Sequence, residues 1–364
     1  MPSVSVTQLI GPALTFTKNL LFTKPFSVKK WLKLALIAWL AGEAFVSGGG
    51  GGFHAPFPGQ EKSHPSQDFY QFTHWIMEHI VEIIIIIAIL VAILITLCLV
   101  FAVLRAIFTF IFLETLATKN QNSIRSGFAQ YQSLGWRLFL FRLIYGLIVF
   151  SLVILAIAIP VLIAVSSVGG IQGLEKAGWM VILLLIFGII ILLVPIIIIS
   201  ALIDSFTNNF VVPTMYVQHL GVIPAWKRYW KTFRAHVWDT VRFYLMKFVL
   251  AMGGGIISFA VFLITLIPFA LIGVILGFLV YFTLAALNLA IAKVGIIIIS
   301  VATPLLLLMF PLIAVLVCLM LPLAVFFRVY TLMFLSACDA ELTVLKEDRS
   351  FPEYPWQATE TPTI

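Results

Sequence analysis

Residues 83–104 read IIIIIAILVAILITLCLVFAVL, twenty-two positions without an ionisable group. About twenty apolar residues, each rising 1.5 Å along a helix, cross the hydrocarbon of a bilayer. A helix is the economical way to cross, because it satisfies its own backbone hydrogen bonds. The positions are apolar in succession rather than in alternation, which argues against a membrane β-barrel. The stretch therefore decides the class: an all-α, polytopic transmembrane helical bundle. Similar runs recur to the end of the chain, with nearly all the charge between them.

Of 364 residues, 62% are apolar and only 10% charged, where an ordinary soluble domain is about a quarter charged. The net charge of +7 is spread along the ends of the apolar runs. That placement orients a membrane protein and gives no nucleic-acid signal. Cys98, Cys318 and Cys338 form no CxxC pair, and the first two lie inside apolar runs. They read as packing residues.

The runs predict spans near residues 27–46, 83–104, 143–165, 179–203, 241–267, 269–292, 294–310 and 311–335. About eight spans result. Six or seven stay open, because PLLLLMFP at 304–311 has no polar residue to mark a loop. The first run is short, but Ser27 is placed to cap it, and Lys29, Lys30 and Lys33 are placed to snorkel. A cleaved signal peptide is its rival reading. Pro160 bends the third span and Pro195 lies inside the fourth, while Pro268, residues 288–293 and residues 304–311 mark breaks beyond Lys247. Residues 1–340 form a single transmembrane domain. Residues 341–364, ending FPEYPWQATETPTI, form a disordered cytoplasmic tail.

Lysine and arginine decide orientation. Residues 1–33 and 105–142 carry five each and 204–247 carry six, against one each in 47–79 and 166–178. The positive-inside rule puts the first three segments, and with them the N-terminus, in the cytoplasm.

Each basic segment holds an amphipathic stretch leading into the next span. In the third, Trp226, Trp230, Phe233, Val237 and Val241 fall on one helical face, opposite Lys227, Arg228, Lys231 and Arg234. In the second, Ile124, Phe128, Tyr131 and Leu138 make a stripe, with Arg125, Gln130 and Gln132 off it. Phe128 and Tyr131 match Trp226 and Tyr229 at a common offset of ninety-eight residues. The first is weaker: Ala13, Phe16 and Leu20 after Pro12, a residue that suits a helix start. The repeat predicts a duplicated unit, an interfacial helix followed by a helical hairpin. Trp226, Lys227, Arg228, Trp230, Lys231 and Arg234 are the candidate lipid-facing residues, cations against anionic headgroups. The rival reading is an anchor that only fixes helix depth and tilt.

Catalytic, cofactor and metal sites are not expected. His54, His64, His74 and His79 share the loop before the second span with Glu78 and Glu82. Imidazole and carboxylate suit zinc, but HWIMEH is not the HExxH pattern, and a solvated loop with an interfacial helix fits better. The five glycines at 48–52 have no phosphate-loop context and read as a flexible turn. Residues 253–255 and the pair Gly273 and Gly277 allow close helix approach. Ionisable residues near membrane depth are few: Glu43, Arg105, Glu114, Lys293 and Arg328. Arg328 is the best candidate for intramembrane charge, pairing with Glu114 or Asp204 or simply snorkelling.

The segment FVVPTMYVQHLGVIPAWKRYWKTFRAHVW, residues 210–238, resembles a pattern of uncharacterised bacterial multi-span proteins. These include relatives of the membrane domain attached to some glycerophosphodiester phosphodiesterases. Pro213, Ala225, Trp226, Lys227 and Arg228 stand at the pattern's positions. The closing LPLAVFFRVYTLMFL at 321–335, followed by Asp339, is similar too, as is the glycine run after KWLKLALIAWLAG. The resemblance implies a multi-pass protein of a bacterial plasma (inner) membrane. It carries over no catalytic residue, and the longer apolar C-terminal region departs from the six-span version.

The function expected is that of a non-enzymatic integral membrane protein acting through lipid or protein contacts, with anionic membrane lipids as candidate partners. A small-molecule transporter or channel subunit is the alternative, favoured by helices broken at proline and opposed by the scarcity of mid-span polar groups. A membrane-embedded enzyme is the weakest reading, since no convergent pair of catalytic side chains is evident.

Overall fold

The computed structural model describes residues 5–22, 27–43, 78–118, 124–167, 179–286 and 293–345, with backbone alone at 180 and 293–298. Regular structure among the described residues is entirely helical. A 3-10 turn (Val6–Leu9) leads into α1 (Ile10–Phe22), and α2 is Val28–Leu40. Then come α3 (Ile80–Thr118), α4 (Ile124–Ser167) and α5 (Trp179–Phe206). A π turn (Thr207–Val211) joins α5 to α6 (Val212–Gln218). Next come α7 (Val222–Ala235), α8 (Val237–Ala286), α9 (Lys293–Cys338) and a 3-10 turn (Ala340–Leu342).

Among the described residues, five stretches are long and apolar enough to cross a membrane: Ile80–Thr118, Ile124–Ser167, Val181–Gln218, Val237–Ala286 and Ile299–Cys338. The expectation of about eight assumed reversals at Pro268 and within 304–311, and the chain makes neither. α8 runs through Pro268, and α9 through Pro304, Pro311 and Pro322. An internal proline deletes one hydrogen bond and kinks a helix without reversing it, and neighbouring helices accommodate such kinks in membranes. Of the break expected at 288–293, residues 288–292 lie outside the described residues and Lys293 opens α9; α8 and α9 pack antiparallel. Gly254 lies against Leu323 and Phe327, and Gly277 against Ser300 and Pro304. α2 is short for a span: its 13 residues make about 20 Å, against roughly 30 Å of hydrocarbon. Ser27 has extended N-cap geometry but makes no side-chain capping hydrogen bond.

Each long helix changes character along its length. On α3, residues from Ile80 to Phe101 are mostly exposed, while Ala106 to Ala117 are buried. α4 and α8 are buried near their starts and exposed beyond; α5 and α9 do the reverse into the segments around Phe210 and Phe334. The buried portions join α1, α2 and α7 in one hydrophobic core, the cap. The exposed portions are the arms. Aromatic rings fill the cap: Phe243 stacks on Phe334 at 4.4 Å, and Phe210 on Tyr229 at 4.7 Å. Such pairs add about 0.5–1.5 kcal/mol beyond the area they bury. α3 and α4 approach so closely that a Cβ on Gly135 would stand 2.9 Å from Ile107 Cα.

The cap also reassigns the amphipathic faces. On α7 the buried positions are Val222, Ala225, Tyr229 and Thr232, one step round from the stripe read in the sequence. Trp226 and Phe233 sit at the margin, Trp230 is 44% exposed, and the break at His236 leaves Val237 and Val241 on α8. The packed helix face takes the smaller Thr232 and leaves the bulky Trp230 outside. On α4, Tyr131 and Leu138 of the stripe are buried, with Ile124 and Phe128 packed at the edge. On α1, Ala13 and Phe16 are buried and Leu20 partly so.

Candidate functional site

Where arms meet cap, each long passage of chain contributes a charged side chain. Arg105 follows the apolar run of α3, Arg142 precedes that of α4, and Asp204 follows that of α5. Lys247 stands at the start of the apolar run of α8, and Arg328 near the end of α9. These positions, with Glu43 after α2, make a polar layer between two apolar regions.

Gly42 delivers Glu43 to the layer. Its φ of 78° is left-handed, a conformation that only glycine adopts without steric penalty. The Gly42 N–H donates to the Trp39 carbonyl and the Glu43 N–H to the Ala38 carbonyl, both at 2.9 Å. That pair of bonds is a Schellman closure of α2. A Cβ on Gly42 would lie 2.5 Å from Arg105 Nε, so the turn passes directly beneath that guanidinium.

The π turn delivers Asn208 and Asn209. In a π turn the Asn208 carbonyl would meet the N–H five residues on, but residue 213 is proline and has none. Arg328 Nη1 donates to that carbonyl instead, at 2.8 Å. The same Nη1 lies 3.2 Å from Glu43 Oε1, with the side chains 2% and 16% exposed. Arg142 Nη2 donates to Asn208 Oδ1. Lys247 Nζ donates to Asn209 Oδ1 at 2.9 Å and to Thr331 Oγ1 at 3.3 Å. Asn209 Nδ2 donates in turn to Ser205 Oγ at 3.0 Å.

Cations outnumber carboxylates in the layer. Arg105, Arg328, Glu43 and Asp204 all lie within Coulombic reach of Arg142, and Lys247 adds a further positive charge. A cavity of about 70 Å³ opens among Glu43, Arg105, Asn208, Asn209, Lys247 and Arg328. One water needs about 10–15 Å³, so the space accepts a group of several heavy atoms. Among the described residues, Arg142 Nε and Arg328 Nε and Nη2 are buried without a hydrogen-bond partner. A donor left in that state costs about 1–3 kcal/mol, more on a charged group. Guanidinium and ammonium donors converging on one small space can hold an anion.

The structure brings together Glu43, Arg105 and Arg328 of the singled-out ionisable residues. It corrects the expected partner of Arg328, which is Glu43 rather than Glu114 or Asp204. Glu114 lies about 13 Å further along α3, buried in the cap within Coulombic reach of Tyr131 and Tyr216. Lys293 opens α9, and its side chain is outside the description. The sequence reading passed over Arg142, Asn208, Asn209 and Lys247. Their common signal is placement: each stands at or just beyond an end of an apolar run.

On α7, Lys227, Trp230, Lys231 and Arg234 are exposed, and the Arg234 guanidinium lies over the Trp230 ring at 5.6 Å. Arg228 instead faces the segment after α9, 2.8 Å from Asp339 and 2.7 Å from Glu341. Trp226 is partly buried, with Nε1 enclosed and without a partner among the described residues. Burial lifts the Tyr229 hydroxyl well above the usual tyrosine range, which keeps the ring neutral in the cap. His54, His64, His74 and the glycines at 48–52 lie outside the described residues. Among those that are described, no group of three His, Cys, Asp or Glu side chains could hold a metal. Gly273 and Gly277 serve the packing of α8 on α9, with a Cβ on Gly277 3.1 Å from the Ser300 carbonyl oxygen.

The model of a family of unknown function, DUF7544, matches residues 4–345. The chain belongs to this family. The match takes in α1 to α9 and every residue of the polar layer. No curated protein and no solved structure matches the chain. The expectation of an uncharacterised family holds for this DUF7544 member, while the finer likeness to the phosphodiesterase-attached membrane domain has no counterpart among the matches.

Proposed function

We propose that this DUF7544 member is a non-enzymatic integral protein of the plasma (inner) membrane that works through lipid and protein contacts in the bilayer. The division into arms and cap carries the reading. The arms expose long apolar surfaces, such as Ile84 to Leu94 on α3 and Ile256 to Ile275 on α8. Such surfaces are stable only against lipid or another apolar partner. The arm of α3 from Ile80 to Leu104 is about 37 Å long, close to what roughly 30 Å of hydrocarbon needs. The described basic residues of 105–142 and 204–247 gather at the cap, which favours a cytoplasmic cap. α1 packs there too, its neighbouring Val6 carbonyl accepting from Tyr330 at 3.4 Å, which favours a cytoplasmic N-terminus.

The outward face of α7 supports an interfacial role, with Lys227, Lys231 and Arg234 toward anionic headgroups and Trp230 at the boundary. Native mass spectrometry of the gently extracted protein tests the reading. Wild type should retain several anionic lipids, and Lys227→Gln, Lys231→Gln and Arg234→Gln together should reduce their number. Unchanged lipid content in that variant would remove the interfacial role. A second reading, passage of a small anion, draws on the polar cavity. Flux of a labelled anion into proteoliposomes above that of empty vesicles would favour it.

A further inference from the structure

We propose that the polar layer is a phosphate site, seating one phosphate-bearing anion among Arg105, Lys247 and Arg328. The proposal rests on the lipid-contact reading above and names its ligand chemistry. Arg328 is 3% exposed, and its Nη1 is engaged by Glu43 and the Asn208 carbonyl. Its Nε and Nη2 are buried and unpartnered among the described residues. Those two nitrogens are the adjacent pair of a guanidinium that grips a phosphate or carboxylate through two parallel hydrogen bonds. Lys247 and Arg105 line the same cavity. With Arg142 they make four cations against Glu43 and Asp204, a surplus that a phosphate monoanion or dianion would neutralise. A carboxylate would leave more of the charge and fewer of the donors satisfied, so phosphate is the better fit.

Phosphate can arrive free or as a phospholipid headgroup. Arg105 belongs to two spaces at once. Besides the polar cavity it lines a groove of about 370 Å³ between α3 and α4, whose walls include Leu99, Ala102, Leu143 and Leu147. Gly146 lies in that groove with nothing within 4 Å of where a Cβ would be. A headgroup in the cavity with an acyl chain along the groove would occupy both. A free phosphate would occupy the cavity alone.

The test uses the full-length protein in mild detergent, with phosphatidylglycerol, phosphatidylcholine and inorganic phosphate as probes in native mass spectrometry. One tightly held phosphatidylglycerol, or one phosphate, is expected per chain. Arg105→Gln and Lys247→Gln should each lower that affinity about tenfold or more, the worth of one charge-assisted hydrogen bond. Arg105 is exposed, so its variant reports binding even where Arg328→Gln fails to fold. Gly146→Leu fills the groove. Loss of phosphatidylglycerol with phosphate binding intact assigns the lipid as source. Phosphate bound by wild type and by Gly146→Leu alike, with no tight lipid in either, assigns the free ion. Retention of both probes at wild-type affinity by Arg105→Gln and Lys247→Gln overturns the site. So does tight phosphatidylcholine binding equal to phosphatidylglycerol. Loss of all lipid contact by wild type, with Arg105-dependent phosphate binding preserved, would remove the lipid-contact reading and leave the site standing.

Discussion

Arg328 and Glu43 meet at 3.2 Å inside the protein although they come from opposite ends of the chain. The pair ties α9 to the end of α2, and the Asn208 carbonyl on Arg328 adds the π turn after α5. Removing one partner of a buried ion pair typically costs about 3–5 kcal/mol, because the other charge stays buried. Glu43→Gln should therefore lower the melting temperature of the detergent-solubilised protein clearly. Adding Arg328→Met should recover part of the loss. A melting curve for Glu43→Gln that overlays wild type would show the pair to be dispensable.

Two glycines on one helix should respond oppositely to alanine. A Cβ on Gly135 would press on Ile107 at both side chain and backbone, whereas Gly146 has open space. Overpacking costs about 1–3 kcal/mol, while alanine in a helix gains up to about 1 kcal/mol over glycine. Thermal unfolding should rank Gly146→Ala at or above wild type and Gly135→Ala below it. The reverse order would contradict the close approach of α3 and α4.

The basic residues of α7 should separate by role. Arg228 holds Asp339 and Glu341, but the pair with Glu341 is largely open to solvent. Arg228→Gln should cost about 1 kcal/mol or less and speed hydrogen exchange around Ala340–Leu342. Lys231→Gln should leave that exchange unchanged and weaken binding to anionic vesicles instead. Equal exchange in both variants would undo the division.

Phe243 is fully buried among Phe210, Tyr330 and Phe334, with the Lys247 ammonium 5.7 Å from its ring. Phe243→Ala should cost about 3–5 kcal/mol. The arm residue Phe282 is 65% exposed, and Phe282→Ala should leave the melting temperature within a degree or so of wild type. Comparable losses at both sites would mean that the cap is not the seat of stability.

Much of the fold was legible in the run at 83–104 and its repeats, because an apolar run without charge admits few environments besides the bilayer or a buried core. The offset of ninety-eight residues likewise marked Tyr131 and Tyr229, and both are buried in the cap. Prolines misled the span count. Pro268 and Pro304 read as loop marks, yet the helices run on through both, because an internal proline kinks a helix without reversing it. The stripe through Trp226 and Trp230 read as a lipid-facing surface, and the face of α7 that packs on the core, with Ala225 and Thr232, lies one step round from it, since size and fit decide what seats there.

The sequence by itself determined the class, the apolar lengths, the basic ends and the glycines that let helices approach, since these depend on local composition and on periods of a few residues. It also marked Glu43, Arg105 and Arg328 as unusual. Only the tertiary structure decided that they share one layer with Arg142, Asn208, Asn209 and Lys247, and that Arg328 answers Glu43. Pairing across so many residues depends on where five helices stand relative to one another, a packing outcome to which every side chain in the cap contributes and which no local pattern encodes.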